Sequence, residues 1–433
     1  MAGAPRNILA NRQFLLLWIA EVLSMTAQNA IWFTLLVVVE KMTQSSTQTG
    51  LAVISSILPG VLIALPAGVV VDHLNKRQVL VVSTLLRAVF VLGYLLYDRS
   101  LVFVFAMNFL FNSIAQFFGP AELAKIPLVV PRHQLIAANT MFNLTLSISQ
   151  LAGLVILGPT AVKLLGPDAV FVSAAVVFAT CSALVWFLPK DEPVARPMEG
   201  LIREERAVIG RMLSESRKGI ALIRQDANIM AGVGFMTLAL GLILVVASLA
   251  PRYMVGVLGY SADDTIYVLA PAGLGVLSGS FVMNYLVGRF GKTPLVNAGV
   301  VGMGVALIVL AGAKPLETAV ATELGFAALG SRLVTPTIMV AAALLGLSFA
   351  IVTVPAQTLV MEHSPSHSQA RVFSVQLMLS NVAAIVPLLF IGPLADVIGV
   401  SEVIALLGLT LLLGWVVRAL SGRRLRPASP PAL

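Results

Sequence analysis

A single cysteine, Cys181, in 433 residues excludes an internal disulfide, and its place in an apolar stretch reads as a small core residue. Charge is scarce: only 11% of residues are Asp, Glu, Lys or Arg, less than half the ~25% of a soluble domain. No glycine-rich phosphate loop ending in Lys and Ser/Thr is present, so ATP is not the expected energy source. The four histidines, His73, His133, His363 and His367, all fall between apolar runs, where none can be a buried proton relay. Glu362, His363 and His367 lie close in sequence, but a loop at that spacing makes a poor metal site. No metal or cofactor is expected. No nucleophile–base set falls at one depth of the apolar runs, so an enzyme is not expected either.

What is present is apolar length. Hydrophobic residues make up 58% of the chain, and the mean hydropathy is +0.95. Twelve apolar runs occupy residues 14–39, 49–71, 78–97, 101–118, 136–162, 168–188, 228–250, 264–287, 294–312, 333–360, 373–395 and 402–420. A hydrocarbon core of ~30 Å needs about 20 residues per helix. Backbone groups in lipid must be satisfied within the segment, so such runs must be helices. The expected fold is an all-α membrane protein of twelve transmembrane helices. The first run, 14–39, is longer than the apolar part of a cleavable signal and is expected to remain as the first helix.

Basic residues orient these spans. With the N-terminus inside, 21 Lys and Arg fall on the cytoplasmic side and 6 on the other, while Arg87 lies within the third span. That asymmetry is the positive-inside pattern and puts both termini in the cytoplasm. The net charge of +8 therefore reflects topology, not nucleic-acid binding. Arg423, Arg424 and Arg426 of the tail can meet anionic headgroups, or simply anchor the topology.

The chain divides into an N-terminal half (1–188), a cytoplasmic linker (189–226) and a C-terminal half (227–433). Pro189, Pro193 and Pro197 open the linker, and an interfacial helical pattern follows from about 199 to 226. The halves repeat. GPTAVKLLG at 158–166 matches GPLADVIG at 392–399, and the segment from Pro120 matches that from Pro355. A third pair is GVVVDHLNKR at 68–77 and NYLVGRFGKT at 284–293. Repeated six-helix halves are a transporter signature, with binding at the interface between them.

The loop at 68–77 resembles the G-x-x-x-D-R-x-G-R-[RK] loop of the major facilitator superfamily, with Gly68, Asp72, Lys76 and Arg77 in place. His73 stands where Arg is usual, and Asn75 replaces the second glycine. Asn tolerates a left-handed backbone, so the tight turn is expected to survive. The resemblance implies two pseudo-symmetric six-helix bundles, alternating access, and a cytoplasmic gate in which Asp72 helps latch the halves. Glu362 and Arg371 are the matching gate pair in the second half. FFGPAELAKIPLVVPRHQLIAAN and the first helix look like the drug–proton antiporter branch that contains macrolide-efflux and enterobactin-exporter proteins. That branch often has an acid near position 28, where this chain has Gln28, and its helix 5 Gly-Pro pattern is only partly matched by Gly153, Gly158 and Pro159.

Glu21 is the one carboxylate deep in an expected span, and such groups are functional candidates by default. It shares a helical face with Ser24 and Gln28, so all three can look into a central cavity. Either Glu21 carries the coupling proton, or it is a boundary carboxylate near the cytoplasmic surface. Arg87 can pair with Glu21, bind an anionic substrate group, or bond carbonyls between helices. Amide stripes at Asn108, Asn112 and Gln116, and at Asn139 and Asn143, either line a cavity or join helices. Cavity lining is favoured for Asn112, Gln116 and Asn143, and Gln357 and Gln376 are their counterparts in the second half. Small-residue stripes at Gly60, Ala64 and Gly68 and at Gly275 and Gly279 permit close helix approach.

The favoured reading is a monomeric inner-membrane exporter of small amphipathic organic compounds, driven by protons, with membrane lipid around it. One alternative is a lysophospholipid, siderophore or metabolite carrier whose activity does not need a proton on Glu21. Another is a non-transporting receptor or scaffold on a carrier fold. Topology is checked by fusing a reporter active only in the cytoplasm after Leu433 and, separately, after Lys314. Activity is expected at Leu433 and not at Lys314; the reverse would invert the orientation.

Overall fold

The computed structural model describes residues 8–191, 217–322, 327–364 and 369–420, and among these every regular element is helical. The helices are α1 (Arg12–Thr43), α2 (Ser46–Leu62), α3 (Ala64–His73), α4 (Lys76–Gly93), α5 (Leu101–Val129), α6 (Leu135–Gln150), α7 (Gly158–Leu165) and α8 (Pro167–Trp186). They continue with α9 (Ala227–Arg252), α10 (Ile266–Phe290), α11 (Lys292–Thr322), α12 (Ala327–His363), α13 (Gln369–Ile398) and α14 (Val400–Leu420). Among the described residues eleven helices are long and apolar enough to cross a membrane, or twelve with the bent pair α2 and α3 counted as one span. The described part of the expected linker helix is helical over 217–225; residues 192–216 lie outside the description, as does the basic tail beyond 420.

The chain forms two compact units, residues 1–44 with 51–211, and residues 45–50 with 212–433. In the first, Asn11 caps α1 by accepting from the amides of Gln13 and Phe14, and its side chain donates to the carbonyl of Val129 at 2.7 Å. The cap therefore also ties α1 to the end of α5. The second span is bent by 53°, and the cause is local. Pro66 has no amide to give to the carbonyl four residues earlier, and α2 ends at that residue, Leu62. The fifth span contains a π-helical turn, Leu151–Leu157, between α6 and α7.

Aromatic packing builds the core of the first unit in two clusters. Phe14, Phe118 and Phe142 lie in one, and Tyr94, Phe111, Phe171 and Phe178 in the other. Tyr94 stacks on Phe171 with ring centroids 5.1 Å apart, and Phe111 meets Phe178 edge-on at 5.6 Å. In the second unit Asp226 caps α9 through the amides of Asn228 and Ile229. Within that unit Asp396 of α13 accepts from the amides of Ser46 and Thr47 at 2.7 and 3.0 Å. Large apolar side chains such as Phe281 and Phe390 stay exposed on the helices, as lipid-facing positions require.

Close helix approach is confined to particular glycines. A Cβ on Gly153 would stand 2.2 Å from the carbonyl oxygen of Thr26 on α1, and one on Gly275 would stand 2.1 Å from that of Ala343 on α12. The stripe expected on the second span does not behave this way. The nearest atoms to a Cβ on Gly60 are those of the Gln116 amide at 3.9 Å, and nothing lies within 4 Å at Gly68.

The repeated loop also differs between its copies. Gly291 has φ 76°, which suits glycine. Its counterpart Asn75 has φ −66° and ψ 115°, extended rather than left-handed, because it serves as the N-cap of α4 and accepts from the amide of Gln78.

Gly153→Leu forces overpacking against α1 and is expected to lower stability by ~1–3 kcal/mol or more. Gly60→Ala should be close to neutral. Thermal melts of the purified protein in detergent check both, and equal melting of the two variants would contradict this packing.

Candidate functional site

Helix α5 runs eleven residues past the expected end of its span at 118, continuing through Pro120 and Pro127 to Val129. Its buried face then reads Phe118, Ala121, Glu122, Lys125, Ile126 and Val129, a helical 3.6-residue rhythm carrying two charged groups. Glu21 is therefore not alone among carboxylates in the spans. Glu122 is 4% exposed, Glu21 2%, and Glu40 at the far end of α1 is buried as well.

The carboxyl groups of Glu21 on α1 and Glu122 on α5 are brought close enough to interact with each other. Ionised carboxylates only accept, so a hydrogen bond between the two would require a proton on one of them. The second oxygen of each, Oε2 of Glu21 and Oε1 of Glu122, has no hydrogen-bond partner. One turn along α1, Ser24 is fully buried and its hydroxyl is likewise unpartnered.

Arg87 of α4 is fully buried between the two aromatic clusters. Its guanidinium lies 4.2 Å from the Phe178 ring centroid, 4.8 Å from Phe111 and 6.0 Å from Phe118. Its Nη2 donates to Oε1 of Gln28 at 2.5 Å, while Nε and Nη1 have no hydrogen-bond partner. Desolvated cation–π contacts are worth ~2 kcal/mol or more each, and a hydrogen bond to a charged group ~1.5–3 kcal/mol. Together these are comparable to the several kcal/mol that burying an ion costs. Direct pairing with Glu21, one of the three roles open to Arg87 from sequence, is not the arrangement found. The two charges interact at longer range, and Gln28 takes the direct bond.

The amide stripe on α5 joins helices. Asn108 donates to Ser55 and Ser56 of α2 at 2.7 and 2.8 Å and accepts from the hydroxyl of Tyr94 at 2.9 Å. Asn112 donates back to Asn108, and Gln116 back to the carbonyl of Asn112, so these two are held in a ladder rather than left free. The side chain of Asn143 lies outside those described. In the second unit Gln376 is buried and donates to Ser380, whose hydroxyl meets that of Thr237, whereas Gln357 is exposed.

The gate residues separate. Asp72 is exposed, and Lys76 donates to its backbone carbonyl at 2.7 Å, not to its carboxylate. Lys125, expected in a loop, is fully buried and pairs with Asp191 while donating to the carbonyl of Pro189 at 2.7 Å. Asp191 also accepts from the amide of Arg77 at 3.1 Å, and its carbonyl accepts from Asn75 at 2.8 Å. The guanidinium of Arg77 lies 4.8 Å from the Trp186 ring centroid. This loop is thus fastened to the end of α8. Glu362 pairs with Lys292, an exposed contact of small energetic worth; the side chain of its expected partner, Arg371, lies outside those described.

Membrane-length helices, with a carboxyl pair and an arginine buried among those of the first unit, define a polytopic membrane protein. The profile of the Major Facilitator Superfamily matches residues 17–387, and the chain belongs to that superfamily, whose members here are transporters rather than enzymes. It is 24% identical over 385 residues to the multidrug efflux pump Tap of Mycolicibacterium fortuitum, covering 86% of this chain and 87% of that one. It is also 24% identical over 287 residues to the uncharacterized MFS-type transporter YkuC of Bacillus subtilis (strain 168), covering 64% of this chain. That match spans 65% of the length of YkuC. Among solved structures the nucleoside transporter NupG superposes with a TM-score of 0.71 at 12% identity, covering 95% of this chain and 99% of that one. A bacterial homologue of the human lysosomal transporter Spinster, in an inward-facing and occupied conformation, gives 0.64 at 14% identity, with 97% and 98% covered. Identities this low speak for the fold alone.

Removing one partner of a buried ion pair strands the other and costs ~3–5 kcal/mol. Lys125→Met and Asp191→Asn are each expected to lower stability by about that amount, and the double variant to recover part of the loss. Denaturation of the four proteins checks this, and strict additivity would show that the pair is not coupled.

Proposed function

We propose that the chain exports small amphipathic organic compounds across a bacterial inner membrane in exchange for protons, by alternating access of its two bundles. The observation that carries this reading is the Glu21–Glu122 contact, a buried carboxyl pair that can hold one proton between its oxygens. Losing that proton leaves two negative charges, and Arg87, which interacts with Glu21, offsets part of the cost. A proton site with a built-in counter-charge is what an exchanger needs, since the site must empty without stranding uncompensated charge. The similarity to a pump named for multidrug efflux supports the direction and breadth of transport. Asp72, Lys76 and Arg77 are then gate elements on the cytoplasmic face, where both termini lie.

A second reading rests on Arg87. Its Nε and Nη1 are unpartnered, so it could take an anionic substrate group, as in a lysophospholipid or siderophore carrier. The two readings separate by mutation.

Inside-out vesicles with an acidified interior and a pH-sensitive dye report substrate-dependent proton release across a panel of amphipathic compounds. Wild type is expected to release protons, and Glu21→Gln and Glu122→Gln each to reduce the rate at least tenfold. Release preserved in both variants would move the proton elsewhere. Uptake without any release, abolished by Arg87→Ala and retained in Glu21→Gln, would favour the anion carrier.

A further inference from the structure

The two bundles differ in one contact. In the first unit α1 packs along α8, closing that side of the bundle. In the second unit their counterparts α9 and α14 barely meet, and a cavity of about 690 Å³ lies between them against α13. That volume is within the usual ~300–1,000 Å³ of ligand sites. Its walls include Val233 and Leu238 of α9, Leu379 and Ile391 of α13, and Leu407 and Leu411 of α14. The helical segment 217–225 closes one end with Ile220, Ile223 and Arg224.

The chemistry of the lining is one-sided. Its two hydroxyls are already committed inside the protein, Thr237 to Ser380 and Thr410 to the carbonyl of Leu407. Arg224 is the one charged residue on the wall, and it is exposed at the end from which α9 starts. Arg418 of α14 adds a second cation toward that end, 4.6 Å from the Phe235 ring centroid. The nearby acid, Asp226, is taken up in capping α9. Nothing in the lining would hold a polar solute or a cationic headgroup. From Met230 to Val245 the α9 wall runs ~22 Å at 1.5 Å per residue, longer than the ~15 Å depth of one leaflet.

We infer that this groove holds an acyl chain of an anionic phospholipid from the leaflet on the basic-residue side of the protein, with its phosphate at Arg224. Anionic lipids concentrate in the cytoplasmic leaflet and attract juxtamembrane Arg and Lys side chains. The site lies wholly in the second unit and does not depend on the proton reading.

The full-length protein in phosphatidylcholine nanodiscs, doped with a lipid carrying a photoreactive acyl chain, tests this. Peptide mapping of the cross-links should place phosphatidylglycerol on α9, α13 and α14, several-fold above an equally labelled phosphatidylcholine. A Cβ on Gly234, which lines the groove, meets nothing within 4 Å, so Gly234→Trp is expected to cut that labelling at least tenfold. Thr410→Trp fills the groove from the opposite wall and should do the same, which guards against misfolding of either variant. Arg224→Gln should bring phosphatidylglycerol down to the phosphatidylcholine level. Equal labelling by both lipids in the wild type, or undiminished labelling in both tryptophan variants, would overturn the inference. So would displacement of the label by a compound that the vesicles transport, which would make the groove a substrate path.

Discussion

Hydrocarbon cannot solvate a charge, and the first bundle is organised around that fact. Arg87, Lys125, Glu21 and Glu122 are all at most 4% exposed, and three physical devices deal with them. Lys125 has a carboxylate and a carbonyl, Arg87 has aromatic faces and one amide, and the two glutamates have each other. The first arrangement is closed and structural. The last leaves an unpartnered oxygen on each side chain.

The same constraint shapes the backbone. A helix in lipid must satisfy its own amides, so departures from regularity need a local cause. Pro66 breaks the second span at Leu62, and the π-turn at Leu151–Leu157 lies where Gly153 lets the fifth span press against α1. Sequence duplication does not enforce identical packing. Asn75 and Gly291 occupy matching loop positions with different backbones, and α9 leaves open the side that α1 closes.

Membership of the Major Facilitator Superfamily makes the chain a membrane carrier, and it is similar to a pump named for multidrug efflux. Such a carrier meets lipid on every outer face. The groove between α9, α13 and α14 has its hydroxyls satisfied and cations toward one end. The carboxyl pair lies in the other unit, so the two are separable in experiment.

Local properties alone determined the fold class, the number of spans, the duplicated halves and the resemblance in the 68–77 loop. Apolar length and charge distribution act on each segment independently, so they are legible without a structure. Glu21, Ser24, Gln28 and Arg87 were legible as candidates because a polar group in an apolar run stands out. Glu122 and Lys125 were hidden because Gly119, Pro120 and the charges that follow look like the end of a span, although the spacing from Phe118 to Val129 was already helical. Which buried groups meet was decided by tertiary structure alone: Glu21 with Glu122, Arg87 with Gln28, Lys125 with Asp191. Those pairings join residues 59 to 101 positions apart, and a sequence pattern of one helix cannot show which face of another it will find.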